Sequence, residues 1–279
     1  SEMVRDALLQ HFPTLQIELK IIKTKGDKLQ HLSLDASGDK GLFTGALEEA
    51  LRAGEIDFAV HSLKDLPVDP APGTRIAAYL PRAVTHDTLI GPMPLEALPE
   101  GALIGTSSGR RAYQIALPYP HLRTEPIRGN VETRMGKVDA GLFDATLLAE
   151  AGLTRLDMKD VTRYPISEEI IVPAPGQAAI AVQTRDEDGE LQTLLQQIHD
   201  AKTEREVTIE RSLLKRLGGG CALPLGCVCH IEGEMAELRV FYANASGTEH
   251  YLATHRTPLS DIDTLLSQLI EHLQHITTA

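Results

Sequence analysis

The chain has no tryptophan and few aromatic side chains of any kind, six Tyr and five Phe in 279 residues. A platform for stacking unpaired bases needs such rings in series, so single-stranded nucleic acid is a poor candidate ligand. Positive charge is in deficit as well: 27 Lys and Arg stand against 39 Asp and Glu, a formal net charge of −12. A chain of that balance repels duplex phosphate unless it segregates a basic face. No apolar run approaches the eighteen or so residues of a membrane-spanning helix. No basic segment followed by an apolar stretch opens the chain as a secretory signal would. The three cysteines, 221, 227 and 229, are clustered and odd in number. They make no disulfide framework and fit a reduced, cytoplasmic setting.

What is present is ordinary globular material: 42% hydrophobic, 24% charged, and long enough for two or three small domains. Ser1–His11 carries Met3, Ala7 and Leu8 at helical spacing and stops before Pro13. Leu15, Ile17, Leu19 and Ile21 alternate with polar residues, which predicts a half-buried strand. After a polar loop, Leu42, Leu47, Ala50 and Leu51 predict a helix closed by Gly54, and Ile56–Val60 a short strand running into His61-Ser62-Leu63-Lys64-Asp65. Strands are expected over Arg75–Leu80, Asp87–Ile90, Ala102–Gly105, His121–Ile127 and Asp144–Leu148, with helices from about Arg110 and over Val131–Val138. That alternation predicts parallel α/β layers. Pro173-Ala174-Pro175-Gly176 interrupts it before one more apolar strand, Ala178–Gln183, which is expected to cross back to the first α/β block. Beyond a helix near Thr203–Leu217, the strands Val228–Ile231, Leu238–Ala243 and His250–Thr254 and a closing helix Leu265–Ile276 predict a small α+β domain.

Arginine is placed informatively. Arg110 and Arg111 follow a strand in Gly105-Thr106-Ser107-Ser108-Gly109, Arg128 follows another in Arg128-Gly129-Asn130, Arg134 lies one turn into the next helix, and Arg155 comes after Asp144–Leu148. Ligands of open α/β sheets bind beyond the carboxyl ends of the strands. Guanidinium groups converging there, with helix N-terminal amides, suit a polycarboxylate or a phosphate. The plainer alternative is a set of solubilising arginines paired with Asp and Glu. Lys64-Asp65 follows a buried strand, where a carboxylate beside cations stabilises positive charge and relays protons, or where it simply makes a turn. Cys221 follows Gly218-Gly219-Gly220 in a loop that admits close approach, as a nucleophile or covalent anchor, or it is a small buried hydrophobe. Zinc on Cys221, Cys227, Cys229 and His230 has the wrong spacing for a standard structural site, and other histidines, His61 included, make no ligand set, so no metal is expected.

Five segments then read together: His61-Ser62-Leu63-Lys64-Asp65-Leu66-Pro67, Gly105-Thr106-Ser107-Ser108-Gly109-Arg110-Arg111, Arg128-Gly129-Asn130-Val131-Glu132-Thr133-Arg134, Pro173–Gln177, and Gly219-Gly220-Cys221-Ala222-Leu223-Pro224-Leu225-Gly226. In this order and spacing the chain resembles the porphobilinogen deaminase (hydroxymethylbilane synthase) family over nearly its whole length. The resemblance implies a transferase of tetrapyrrole (haem, chlorophyll) biosynthesis. Such an enzyme joins four porphobilinogen units, with loss of ammonia, into hydroxymethylbilane on a dipyrromethane cofactor. It implies a thioether from that cofactor to Cys221, and Asp65 as the catalytic carboxylate that steadies an azafulvene cation and moves protons. Cofactor contacts are implied for Lys40, Ser62, Lys64, Asp65, Ser108, Arg110, Arg111 and Gly129, and substrate contacts for Arg128, Arg134 and Arg155.

The implied fold is α/β: two periplasmic-binding-protein-like α/β domains with the active site between them, plus a small C-terminal α+β domain carrying the cysteine. The expected boundaries are 1–80 with 176–198, 84–173, and 201–279. A cytoplasmic monomer with porphobilinogen as its partner, and neither nucleic acid nor membrane, completes the expectation. Several positions depart from the family pattern. Its opening strand and R-x-S-x-L-A-x-x-Q loop have no counterpart before Ser1-Glu2-Met3-Val4, so the first domain is expected to lack its N-terminal strand. Ala36 stands for a lysine, Gly38-Asp39 for Gly-Gly, Gly45 for a lysine, and Gly109 for a bulky residue. Arg82–Asp87 departs from the usual acidic stretch. These departures bear on affinity and loop behaviour rather than on reaction type. The other class of protein the residues allow is a non-catalytic small-anion binder, for which Asp65 and Cys221 would be superfluous.

Overall fold

A computed structural model describes residues 1–22, 44–219 and 223–277. Lys40 and Cys221 therefore lie outside the described residues, as do the departures at Ala36 and Asp39. The chain forms two compact units, 1–82 with 179–205 and 83–178 with 206–279.

In the first unit, β1 (Phe58–Ser62) and β2 (Thr74–Tyr79) flank β8 (Ile180–Arg185), both antiparallel to it. Strand β8 is the segment expected to cross back, and five of its six residues are buried, Gln183 and Thr184 among them. Helix α1 (Glu2–His11) lays Val4 and Leu8 against Ala77, Ala78, Leu80 and Val182. Helix α2 (Gly45–Arg52) ends, as expected, just before Gly54, whose φ of 71° suits glycine.

The strand expected over Leu15–Ile21 is not formed. Those residues run without ladder bonding; Leu15 and Ile17 still reach the core, but Leu19 is 37% and Ile21 91% exposed. Alternation marks a face, whereas a strand also needs a neighbouring edge to pair with, and no strand among the described residues pairs with this segment.

In the second unit a five-stranded sheet has the order β5 (Arg123–Glu125), β4 (Leu103–Gly105), β6 (Ala145–Ala149), β3 (Asp87–Ile90), β7 (Arg163–Pro165). Strand β4 is parallel to β5 and β6, but β3 is antiparallel to both of its neighbours. The parallel layering expected from the sequence thus holds for half of this sheet. Both faces of β3 and β6 are buried, and a doubly buried run reads the same in either direction. Strand β7 was not foreseen: it is three residues long and ends in Pro165, admissible only at an edge. Helices α3 (Gly109–Ala116), α4 (Val131–Asp139) and α5 (Glu150–Arg155) follow β4, β5 and β6 in turn.

After α6 (Gly189–Leu195), helix α7 (Ala201–Arg216) leads to the C-terminal sheet. Strand β10 (Met235–Ala243) lies between β9 (Leu225–Glu232) and β11 (His250–Pro258), all antiparallel. Helix α8 (Ile262–Thr277) brings Leu266, Leu269 and Leu273 onto a core that includes Cys227, Cys229, Leu238, Val240 and Tyr242. This is the α+β portion expected from the sequence.

Candidate functional site

Because β4, β5 and β6 are parallel, their carboxyl ends share one edge of the sheet. Glycine at 105 lets two of these exits come close: a Cβ there would stand 2.8 Å from Ile127 Cδ1. Ser107 Oγ then donates to Ile127 O at 2.8 Å, tying the turn after β4 to the end of the β5 segment. Ser108 caps α3, its hydroxyl accepting from Arg111 N at 3.4 Å. Asn130 caps α4 through Thr133 N at 2.8 Å.

Gly129 between these turns has φ 115°, and a Cβ there would meet Thr133 Cγ2 at 2.5 Å. Its carbonyl accepts from Arg134 Nε at 2.8 Å, while Arg128 O accepts from Lys137 Nζ at 3.0 Å. The backbone of Arg128-Gly129-Asn130 thereby holds two cations of α4. Arg155, at the end of α5, donates from Nη2 to Ala178 O at 2.5 Å.

The two arginines that open α3 are buried, at 5% and 7% exposure, so they are not solubilising surface residues, although they are paired with a carboxylate as the plainer alternative had it. Arg110 Nη2 and Arg111 Nη2 each meet one oxygen of Asp87 at 2.7 Å. Gln177 Nε2 donates to the same carboxylate at 2.9 Å. The remaining terminal nitrogens reach backbone, Arg110 Nη1 to Val172 O at 2.6 Å and Arg111 Nη1 to Leu147 O at 2.9 Å. Burial pushes the Arg110 pKa down, with Asp87 opposing it. Arg134 is pushed down by burial and then by the like charges of Arg111 and Arg128, and Arg155 by burial. Arg111 Nε and Arg155 Nε are buried with no hydrogen-bond partner.

Arg134 thus feels the like charges of Arg111 and Arg128, and Arg111 keeps one buried donor unpaired. Such a set is short of anions, and a ligand with several carboxylates supplies them. A dipyrromethane with its acetate and propionate groups fits that requirement.

In the first unit, Ser62 ends β1 and Leu63–Asp65 turns as a 3-10 segment. Leu63 is buried, its N–H donating to Ala179 O at 3.0 Å, while Lys64 is half-buried and Asp65 exposed. The structure therefore gathers Ser108, Arg110, Arg111, Arg128, Gly129 and Arg134 on adjoining turns, sets Arg155 on its own helix, and groups Ser62, Lys64 and Asp65 at the exit of β1. Sequence reasoning missed Asp87, which it read only as the first residue of a strand, and Gln177, read only as part of a Pro-Gly break. A carboxylate in an otherwise apolar strand was the available signal for the first. Cys227 and Cys229 are fully buried in β9.

Arginines clustered at the ends of parallel strands mark this as an α/β protein whose strand exits suit an anionic ligand. Residues 1–193 match the model of the porphobilinogen deaminase dipyrromethane cofactor binding domain, and residues 204–261 that of the porphobilinogen deaminase C-terminal domain. A porphobilinogen deaminase of Roseiflexus sp. is 44% identical over 239 residues, covering 85% of this chain and 79% of the relative. One from Nostoc sp. is 39% identical over 276 residues, covering 97% and 85%. Among solved structures, the VFT2 domain of Bordetella pertussis BvgS is similar at 15% identity and TM-score 0.41, covering 76% of this chain and 82% of that one. The chain belongs to the porphobilinogen deaminase family.

Proposed function

We propose that this protein is a transferase that joins four porphobilinogen molecules, releasing ammonia each time, into the linear tetrapyrrole hydroxymethylbilane. The observation that carries the reading is the cationic field of Arg111, Arg128 and Arg134 at the exits of β4 and β5, matched to a substrate that brings two carboxylates with each ring. Bound through Cys221, the dipyrromethane supplies a pyrrole carbon to which the first unit is joined. Ser108, Arg110, Arg111, Gly129, Lys40, Ser62 and Lys64 hold that cofactor in this proposal. Arg128, Arg134 and Arg155 bind the carboxylates of incoming substrate. Each charge-assisted hydrogen bond contributes roughly 1.5–3 kcal/mol, so each arginine is worth about one to two decades of affinity.

Asp65 is the catalytic residue of the reading. Its carboxylate favours the positive charge that develops on the ring as ammonia leaves, and it accepts and returns protons at the pyrrole. Its place at the exposed turn after β1 leaves it accessible to a ligand. The division into 1–80 with 176–198, 84–173 and 201–279 belongs to the same proposal, as do a monomeric state, a cytoplasmic location and no nucleic-acid partner.

Two substitutions test it. Cys221→Ala should abolish the mass increment of one dipyrromethane on the intact protein, together with turnover; product formed at the normal rate would sink the assignment. Asp65→Asn should keep that mass increment but lower kcat by at least about 100-fold, within the range general acid–base groups supply. A protein that binds porphobilinogen with no covalent increment and no turnover would be the non-catalytic anion binder instead.

A further inference from the structure

Tyr113 lies in α3 close after Arg110 and Arg111, half-buried against Val172, Val228, Phe241 and Ala243. Its hydroxyl donates to Ala245 O at 2.7 Å, in the turn between β10 and β11. Asn244 braces that turn from within, its N–H donating to Glu249 O at 3.0 Å and its carbonyl accepting from Gly247 N at 3.0 Å. Glycine lies at both edges of the ring. At Gly247, with φ 72°, a Cβ would stand 2.4 Å from Tyr113 Cε1. At Gly109, which departs from the family's bulky residue, a Cβ would touch Tyr113 Cε2 at 3.6 Å and Pro224 Cβ at 3.9 Å, so a branched side chain would crowd both. The circuit closes on the C-terminal sheet, where Ala243 N donates to Pro224 O at 3.3 Å.

A second tie joins the same two pieces elsewhere. Val172 O accepts from Arg110 Nη1 at 2.6 Å, and Pro173 O accepts from Cys227 N at 2.8 Å. Gly226 permits the close approach, since a Cβ there would stand 2.7 Å from Val172 O. Helix α3 and the start of β9 are thus fastened at two places within one compact unit. Loss of one tie leaves the other to hold the fold.

Both ties bear on the proposed chemistry. Arg110 and Arg111 directly follow Gly109, and Pro224 comes three residues after Cys221. A ligand gripped by its carboxylates at the first and by a thioether at the second needs the two grips in register. We infer that Tyr113 is a positioning residue for the covalently held chain: its bond to Ala245 and its packing between Gly109 and Gly247 set Pro224 against the arginine-bearing start of α3. The inference rests on the transferase reading above and deepens it with a residue that itself touches no ligand. Arg134 and Arg155, which take incoming substrate in that reading, are oriented by Gly129 O and Ala178 O rather than by this contact. Loss of Tyr113 should therefore disturb the placing of the growing chain more than the capture of porphobilinogen.

Three variants of the full chain test this, each followed by intact mass, kcat, KM for porphobilinogen and Tm. Tyr113→Phe keeps the ring and loses the bond to Ala245, whereas Tyr113→Ala loses both. Leu269→Ala opens the core under α8 and lowers Tm from a site away from α3. Tyr113→Ala should carry the dipyrromethane increment on a smaller fraction of molecules than the parent. Its kcat per loaded molecule should fall by about 10- to 100-fold, the scale of a small misplacement of reacting groups, with KM within about threefold. Tyr113→Phe should move the same way by about two- to tenfold, the share of one hydrogen bond. Leu269→Ala should keep parental loading and kcat below its own midpoint.

Parental loading and kcat in Tyr113→Ala would overturn the inference. So would equal losses in Leu269→Ala, which would make the effect one of stability alone, or a loss confined to KM. If Tyr113→Ala fails to fold, Tyr113→Phe still decides. With a parent that turns over, these failures leave the transferase reading standing; a parent with neither increment nor turnover would overturn both.

Discussion

His61 shows how much one residue can carry unannounced. The strand β1 that delivers Ser62, Lys64 and Asp65 is anchored by a buried chain of hydrogen bonds: His61 Nε2 to Gln183 Oε1 at 2.9 Å, Gln183 Nε2 to Thr74 Oγ1 at 2.8 Å, and Thr74 Oγ1 to Ala71 O at 2.7 Å. The Thr74 proton is committed to Ala71, so its oxygen accepts from the Gln183 amide. The Gln183 carbonyl accepts in turn, and the imidazole proton is assigned to Nε2. Burial pushes the His61 pKa down, Gln183 opposing it. The folded state therefore takes up this proton less readily than the unfolded chain. The stability contributed by neutral His61 is complete above the ordinary imidazole value of ~6.5 and is lost as pH falls from there towards the depressed folded value. His255 is lowered as well and adds in the same sense. A series of melts from neutral to mildly acid pH should show Tm falling on the acid side. In His61→Gln, which keeps an amide donor towards Gln183, that fall should be shallower. An acid limb of unchanged steepness would remove His61 as its source. From sequence, His61 could be tested only as a metal ligand, because a partner 122 residues away leaves no local mark.

At the scale of elements, turns were more legible than pairings. The sequence placed Arg128-Gly129-Asn130 after a strand and before a helix, where the apolar period changes, and in the structure Asn130 caps that helix. That turn also allows a sharp prediction. Alanine at Gly129 must hold a φ of 115° and fit a Cβ 2.5 Å from Thr133 Cγ2, at a cost of order 1–3 kcal/mol. Since Gly129 O orients Arg134, Gly129→Ala should lower Tm and raise KM for porphobilinogen several-fold, with kcat less affected. A parental KM at lowered Tm would separate the turn from the anion site. By contrast, Leu15–Ile21 has a strand's alternation and no ladder, and β3 turned out antiparallel inside an otherwise plausible parallel layer. Periodicity records which face is covered. It does not record by which neighbour, or in which direction that neighbour runs.

At the scale of the whole molecule, the return of β8 to lie between β1 and β2 was legible in an apolar strand that follows the Pro173–Gly176 break and in the layout the family resemblance implies. What holds the C-terminal sheet to the five-stranded sheet was not. The change from strand–helix alternation to consecutive strands separates 84–173 from 201–279 in the sequence, yet Cys227 N donates to Pro173 O at 2.8 Å and Tyr113 Oη to Ala245 O at 2.7 Å. Glu210 of α7, fully buried, accepts from Gly176 N at 2.7 Å on one oxygen and from Cys229 N at 2.8 Å on the other. One carboxylate thus satisfies a backbone donor from each side, and both would be stranded without it. In Glu210→Gln only one side-chain atom still accepts well, so one buried N–H is left unpaired, at roughly 1–3 kcal/mol. Because the two sheets share these bonds within one compact unit, they should open together. Amide exchange in β3 and β6 should therefore accelerate by the same factor as in β9 and β10 when Glu210 is replaced. Acceleration confined to β9 and β10 would mean that the C-terminal sheet opens by itself, with Glu210 a local cap rather than a tie.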